Sequence, residues 1–343
     1  MPNTRLPRPI ILSLTKMHEA GMSLLQAAAD LRMASGVTPE ILRREVVDVD
    51  ALIIRTGGIV DGALLDCAPR LKVVGRHGVG YDAIDIEAAT ARGVQVIYTP
   101  GANTQSVAEH VLAMMIGLSK NFPRMNAAVA AYDYHARTRH TGRDLSGRSL
   151  GVIGFGRIGR RVAAIAHAVF QMPVLYHDII PAPPDVEKQT GAARASLAEV
   201  LSKSEYVTIH TPLDPSTVHL INRETLALMR PDAILINCAR GPIVDEQAVA
   251  EALAAGKLLA YGADVFETEP FLPNVIHPLI GRDDVILTPH SAAQTVEGLT
   301  NMAREVAQDV LAVLSGHRPK NPVNSPQDVE SRRRVLGLTP LYI

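Results

Sequence analysis

The sequence is short of charge imbalance, cysteine and unbroken apolar runs, and each shortage closes off a class of function. Its 34 basic and 35 acidic residues leave a net charge of −1, so bulk electrostatics offers nothing to a nucleic acid or another polyanion. Two cysteines, Cys67 and Cys238, are too few for a disulfide scaffold and fit a reduced, cytoplasmic setting. Cys238 ends an apolar strand pattern, which suits a packed thiol better than a nucleophile. The apolar stretch Val107–Leu118 is broken by Glu109 and His110, so no membrane span is expected. Arg5 and Arg8 are followed only by a short strand-like run, and no signal peptide is expected. His210, His219, His277 and His290 lack ligand spacing such as H-E-x-x-H, so no metal site is expected. No internal repeat is visible, and the one strong charge cluster is Arg332–Arg334.

Apolar residues make up 47% of the 343, enough for a large buried core and two domains of ordinary size. The stretch Gly151–Gly159 organises the chain. Gly154, Gly156 and Gly159 form G-x-G-x-x-G between a strand at 149–153 and a helix at 160–170. In such a turn the first glycine allows the bend, the second admits a pyrophosphate and the third lets helix pack on strand. The helix N-terminus then offers free N–H groups to the anion. A second strand, 173–176, leads to Asp178, nineteen residues after Gly159. A carboxylate there accepts from both ribose hydroxyls and repels a 2′-phosphate, which favours NAD over NADP. Alone, the glycine pattern is weak. Strand, helix, second strand and Asp in register make a dinucleotide site the better reading.

Before this unit, strands are expected at 9–14, 51–54, 71–74 and 94–98, with helices at 20–34 and 85–92. Gly93 closes the second helix. Alternating strands and helices imply a doubly wound parallel sheet. A long helix, 103–120, leads into an irregular, aromatic and basic connection at 121–148. A second long helix is expected at 296–315, and the tail after Ser325 is assigned no structure. The fold class is therefore α/β: a Rossmann-type nucleotide domain (104–293) inserted into a flavodoxin-like substrate domain (1–103 and 294–343).

Three strand ends of the second domain carry chemistry. A strand at 233–237 leads to Arg240-Gly241, one at 259–263 leads through Asp264 to Glu269, and one at 285–287 leads to Thr288-Pro289-His290. Ligands of open α/β sheets bind outside the carboxyl ends of the strands, so the nicotinamide is expected beside these three. A guanidinium fork suits a substrate carboxylate. An imidazolium can hand its proton to a carbonyl oxygen as hydride arrives, and a carboxylate orients it and favours its charged form. Singly, an Arg, Glu or His in a loop is more often an ordinary solvated residue. Three fitting types on three strand ends after a dinucleotide turn argue otherwise.

These segments, Gly154–Gly159, Ile236–Glu246, Asp264–Pro270 and Thr288–His290, make the chain resemble the D-isomer-specific 2-hydroxyacid dehydrogenases over about 51–324. The resemblance implies that Arg240 binds the carboxylate, Glu269 orients and His290 is the acid/base. It also implies that Arg157, Ile158, Asp178, Thr211, Pro212, Cys238, Ala239, Asp264 and Ala293 touch NAD. It further implies a homodimer joined through the nucleotide domains, with the helix from Asn103 in the contact. Within the family the chain looks most like the 3-phosphoglycerate dehydrogenase branch. Arg55, Arg76, Val79, Gly80 and Asn103 match substrate positions there, and so does the ending Arg318–Asn324. Arg55 and Arg76 would suit a second anion, phosphate or sulfonate, or they are ordinary surface arginines.

The chain departs from the family pattern at Pro242, at Ser291–Ala293 and at His135, which falls where relatives often carry Trp. No regulatory domain is expected. These departures leave the substrate open among 3-phosphoglycerate, glycerate, hydroxypyruvate, glyoxylate and sulfolactate. An NADH-sensing corepressor-like protein is the alternative from another class. Formate oxidation is disfavoured because that branch pairs its His with Gln, where this chain has Glu269.

Overall fold

The computed structural model describes residues 8–272 and 275–342. The chain forms two compact units, residues 1–103 with 295–343 and residues 104–294. The first begins with β1 (Ile10–Ser13), α1 (Glu19–Ala28), β2 (Asp30–Met33), α2 (Pro39–Glu45) and β3 (Ala51–Ile54). It continues through α3 (Gly62–Asp66), β4 (Val73–Arg76), α4 (Ile86–Ala91) and β5 (Gln95–Ile97). The strands form a parallel sheet in the order β2-β1-β3-β4-β5, the flavodoxin-like order. The helix expected over 20–34 is two elements. Its second half is the edge strand β2, paired residue for residue with β1 from Ile10↔Asp30 to Ser13↔Met33. The strand expected over 71–74 sits two residues later, so Gly75 and Arg76 belong to it.

The second unit opens with α5 (Thr104–Ser119), α6 (Phe122–Ala130) and α7 (Ala136–Arg139). The connection expected to be irregular is thus partly helical, started by Phe122-Pro123 where Pro occupies the first turn. Then come β6 (Leu150–Ile153), α8 (Arg157–Phe170), β7 (Val174–His177), α9 (Pro184–Thr190), β8 (Ala192–Arg194) and α10 (Leu197–Lys203). The unit closes with β9 (Tyr206–Ile209), α11 (Arg223–Leu226), β10 (Ile234–Asn237), α12 (Glu246–Ala254), β11 (Ala260–Ala263) and β12 (Val285–Leu287). The parallel sheet runs β12-β11-β10-β9-β6-β7-β8. From β6 the chain goes outward one way and returns to build the other half, so the order reverses between β6 and β9. Strands β6, β9, β10 and β11 are buried throughout, as expected of a parallel sheet covered on both faces. One face packs Leu150, Val152, Ile234 and Ile236 against α5 and α8; the other packs Ile153, Val207, Ile209 and Leu235.

The chain then returns to the first unit. Helix α13 (Val296–Leu314) lays Ala303, Val306, Ala307 and Val310 on the face of the first sheet made by Ile11, Ile53, Val73 and Ile97. Residues after Ser325, assigned no structure from sequence, form α14 (Pro326–Val335), capped by the Ser325 side chain. Val329 is fully buried, and Arg333 donates to Gly93 O and Thr339 O. No helix among the described residues is long and apolar enough to cross a membrane.

Candidate active site

The site is built on the carboxyl ends of β10, β11 and β12. Strand β10 ends in buried Asn237, whose side chain clamps the following turn. Its Nδ2 donates to Arg240 O at 2.8 Å, and its Oδ1 accepts from Ala239 N at 3.0 Å. Arg240 thereby starts the short 3₁₀ turn Gly241–Ile243. A Cβ at Gly241 would lie 1.9 Å from the Phe266 carbonyl carbon and oxygen. Only glycine lets the Arg240 turn sit against the loop after β11. That loop carries Glu269.

Glu269 is held at both oxygens. Oε1 accepts from Phe266 N at 2.8 Å, and Oε2 accepts from His290 Nδ1 at 2.7 Å. Partial burial works against the carboxylate charge. The His290 and Phe266 hydrogen bonds, with the charges of His290 and Arg240, outweigh it and hold the Glu269 carboxyl below its usual range. The loop is tied from behind by α12: Glu246 N donates to Glu267 Oε1, and Glu267 N donates to Glu246 Oε1, both at 3.1 Å. His277 Nε2 lies 2.9 Å from Glu246 Oε2.

His290 follows β12 with a backbone φ of +50°, rare for a side-chain-bearing residue. The turn around it folds over Asp264, which is 1% exposed. Asp264 Oδ1 accepts from Thr288 Oγ1 at 2.6 Å and from Ser291 N at 2.7 Å, while Oδ2 accepts from Ala292 N at 2.9 Å. With Glu269 on Nδ1, Nε2 is the His290 nitrogen left to exchange a proton with a substrate. Asp264, a residue the resemblance sets against the dinucleotide, also holds the His290 turn through its carboxylate. Ala293 lies half-buried just beyond that turn.

The glycine turn joins β6 to α8 at the point where strand order reverses. Gly154 has φ +88°, and a Cβ there would come within 2.6 Å of His210 C and Thr211 N. At Gly159 a Cβ would meet Gly154 O at 2.3 Å. The protein's own packing therefore requires glycine at both. At Gly156 a Cβ would meet nothing within 4 Å, so the space beside that backbone is open to a ligand at the N-terminus of α8. Asp178 Oδ2 accepts from Phe155 N at 2.6 Å and Oδ1 from Ile180 N at 2.9 Å. Each oxygen keeps a second lone pair for a hydroxyl. Thr211 Oγ1 is a buried hydroxyl with no partner among the described residues. Arg157 is exposed, Ile158 half-buried and Pro212 exposed along the same edge. The open backbone, the oriented carboxylate and the orphan hydroxyl fit a dinucleotide. Cys238 packs its sulfur 4.0 Å from Met114 Sδ, and burial with the charge of Asp264 pushes its thiol well up. Ala239 O accepts from Arg240 Nη1 at 2.7 Å.

The five residues matched to substrate positions lie in the first unit. Arg55 directly follows β3, half-buried, and burial lowers its pKa. Arg76 ends β4 and donates to Arg55 O and Gly80 O, tying the Val79-Gly80 turn to β3. Asn103 is 9% exposed, and its Oδ1 has no partner among the described residues. Sequence reasoning passed over Asn237, Glu246, His277 and His110, which hold the loops and do not stand on the rim. Their one visible signal is polarity inside apolar segments.

Residues 112–292 match the family model "D-isomer specific 2-hydroxyacid dehydrogenase, NAD binding domain". The D-3-phosphoglycerate dehydrogenase of Methanocaldococcus jannaschii is 39% identical over 317 residues, 92% of this chain and 59% of that protein. The chain thus spans well under two thirds of that relative's length. The glyoxylate reductase of Thermococcus onnurineus is 35% identical over 92% of this chain and 96% of its own. The structure of Aquifex aeolicus D-lactate dehydrogenase with NAD and lactic acid superposes with a TM-score of 0.84 at 30% identity, covering 92% of this chain and 99% of that one. Strand order, the glycine turn and matches that run the length of a relative agree: the chain belongs to the D-isomer-specific 2-hydroxyacid dehydrogenase family.

Proposed function

We propose that this chain is an NAD-dependent dehydrogenase that interconverts a D-2-hydroxy acid and its 2-keto acid. The observation that carries the reading is the His290–Glu269 pair, 2.7 Å apart, on the rim that bears Arg240 and the open glycine turn. NADH, when bound, supplies the hydride. Arg240 holds the substrate carboxylate and fixes its plane. His290 Nε2 gives a proton to the keto oxygen, and Glu269 keeps the ring in the tautomer and orientation that allow it. In the oxidative direction His290 takes the hydroxyl proton. Such acid–base assistance is worth roughly 10²–10⁴ in rate.

The first substrate reading is the 3-phosphoglycerate/3-phosphohydroxypyruvate pair, supported by likeness to several phosphoglycerate dehydrogenases and by Arg55 and Arg76 as receptors for a second anion. A smaller acid such as glyoxylate or hydroxypyruvate is the second. It is supported by likeness to a glyoxylate reductase along nearly its full length and by the use of Arg76 on backbone carbonyls. The working form is a cytoplasmic homodimer. NADH oxidation with phosphohydroxypyruvate, hydroxypyruvate, glyoxylate, pyruvate and sulfopyruvate tests both readings. A phosphohydroxypyruvate preference that disappears in Arg55→Ala supports the first. Silence with all five rejects the dehydrogenase reading. Light scattering at micromolar protein tests the dimer.

A further inference from the structure

The proposed chemistry needs His290 at one place, yet neighbours on its own loop do not complete the support. Thr288 starts the turn, and its hydroxyl has one proton. Asp264 Oδ1, an acceptor at 2.6 Å, takes that proton. Thr288 Oγ1 also lies 2.9 Å from His110 Nε2 on α5. Since the hydroxyl proton is already used, the ring must donate there, which fixes a proton on Nε2. The same nitrogen is 3.7 Å from Asp264 Oδ1. A chain of bonds therefore runs from α5 through Thr288 to the buried carboxylate, and from that carboxylate to the N–H groups of Ser291 and Ala292 that follow His290. His290 N closes the turn by donating to Asp264 O at 2.8 Å. The turn holds His290 in its left-handed conformation, which a loosened turn would leave.

We infer that His110 is a positioning residue for the acid–base step, acting through Thr288 and Asp264 on the His290 turn. The inference rests on the dehydrogenase reading, and its test separates the two. Wild type, His110→Ala, His110→Gln, Thr288→Val and the His110→Ala/Thr288→Val double variant are compared for kcat, KM, NADH affinity by nicotinamide fluorescence, and melting temperature. His110→Ala should lower kcat about 10²-fold, the scale of a small misplacement of a reacting group, with NADH affinity and melting temperature near wild type. His110→Gln, which keeps a donor, should recover most of the loss. The double variant should be no worse than Thr288→Val, since both break one chain. Wild-type kcat in His110→Ala overturns the inference. So does a loss shared in proportion by kcat, NADH affinity and melting temperature. Inactive wild type rejects the dehydrogenase reading instead. In that case the His290 imidazole NMR signals decide the positioning: shifted in His110→Ala supports it, unmoved overturns it.

Discussion

His290 and Glu269 meet at 2.7 Å across 21 positions of sequence, and the consequences of removing either differ. His290→Ala should lower kcat roughly 10²–10⁴-fold while NADH still binds, checked by steady-state rates and fluorescence titration. Glu269→Gln keeps a side chain that can accept from Nδ1 but loses the charge, so kcat should fall less than in His290→Ala. A second residue-scale prediction concerns pH. Burial, followed by the charges of Arg55 and Arg76, pushes His77 down to about 4, and burial alone pushes His210 down to about 3. Both are protonated more readily unfolded than folded. Their contribution to stability is therefore full above the ordinary value of 6.5 and is lost as pH falls towards 4 for His77 and towards 3 for His210, at about 1.4 kcal/mol per unit of depression for each. Denaturant titrations at pH 7, 6 and 5 should show this decline, and His77→Leu should make it shallower. The rim residues are legible in the sequence because Arg, Glu and His each follow an apolar strand. The contacts that support them are not: Asp264 and His110 reach partners distant in the chain, and Asn237 clamps its own turn through bonds that residue type alone does not reveal.

At the scale of elements, two glycines make opposite predictions. Gly241→Ala drives a Cβ into the Phe266 backbone and should part the Arg240 turn from the Glu269 loop, lowering kcat/KM about 10²-fold. Gly156→Ala meets no protein atom, so its melting temperature should stay put while Kd for NADH rises about tenfold or more, equivalent to 1.4 kcal/mol. An unchanged Kd would falsify the placement of the dinucleotide at this turn. Elements buried on both faces, such as β3 and β6, are legible as continuous apolar runs. The misread ones share a different property. Strand β2 has no buried residue, and α6 has none. Helix α14 buries only Val329 and Arg333. An element with little buried surface leaves no periodic apolar signal, so its form is set by pairing or packing elsewhere.

At the scale of the whole molecule, the two parallel-sheet units follow from alternation of strand and helix patterns, which is why the fold class is legible without any long-range information. The proposed cofactor should divide the units by response. At 100 times Kd, NADH should add about 2.7 kcal/mol to the stability of the form that binds it. Hydrogen exchange should slow most around β6, the N-terminus of α8 and the Asp178 turn, and least in β1 and β2. Uniform protection, or protection confined to the first unit, would count against the site.

The interruption of the first unit by the second also matters before the protein is finished. Ile11, Ile53, Val73 and Ile97 emerge from the ribosome early, but their cover, Ala303, Val306 and Val310, is made only after residues 104–294. At ordinary synthesis rates that gap lasts roughly 10–40 s. Throughout it, the part of that sheet face left uncovered by Met22 and Leu25 of α1 stays exposed, a natural stopping place for a chaperone and a hazard when none is at hand.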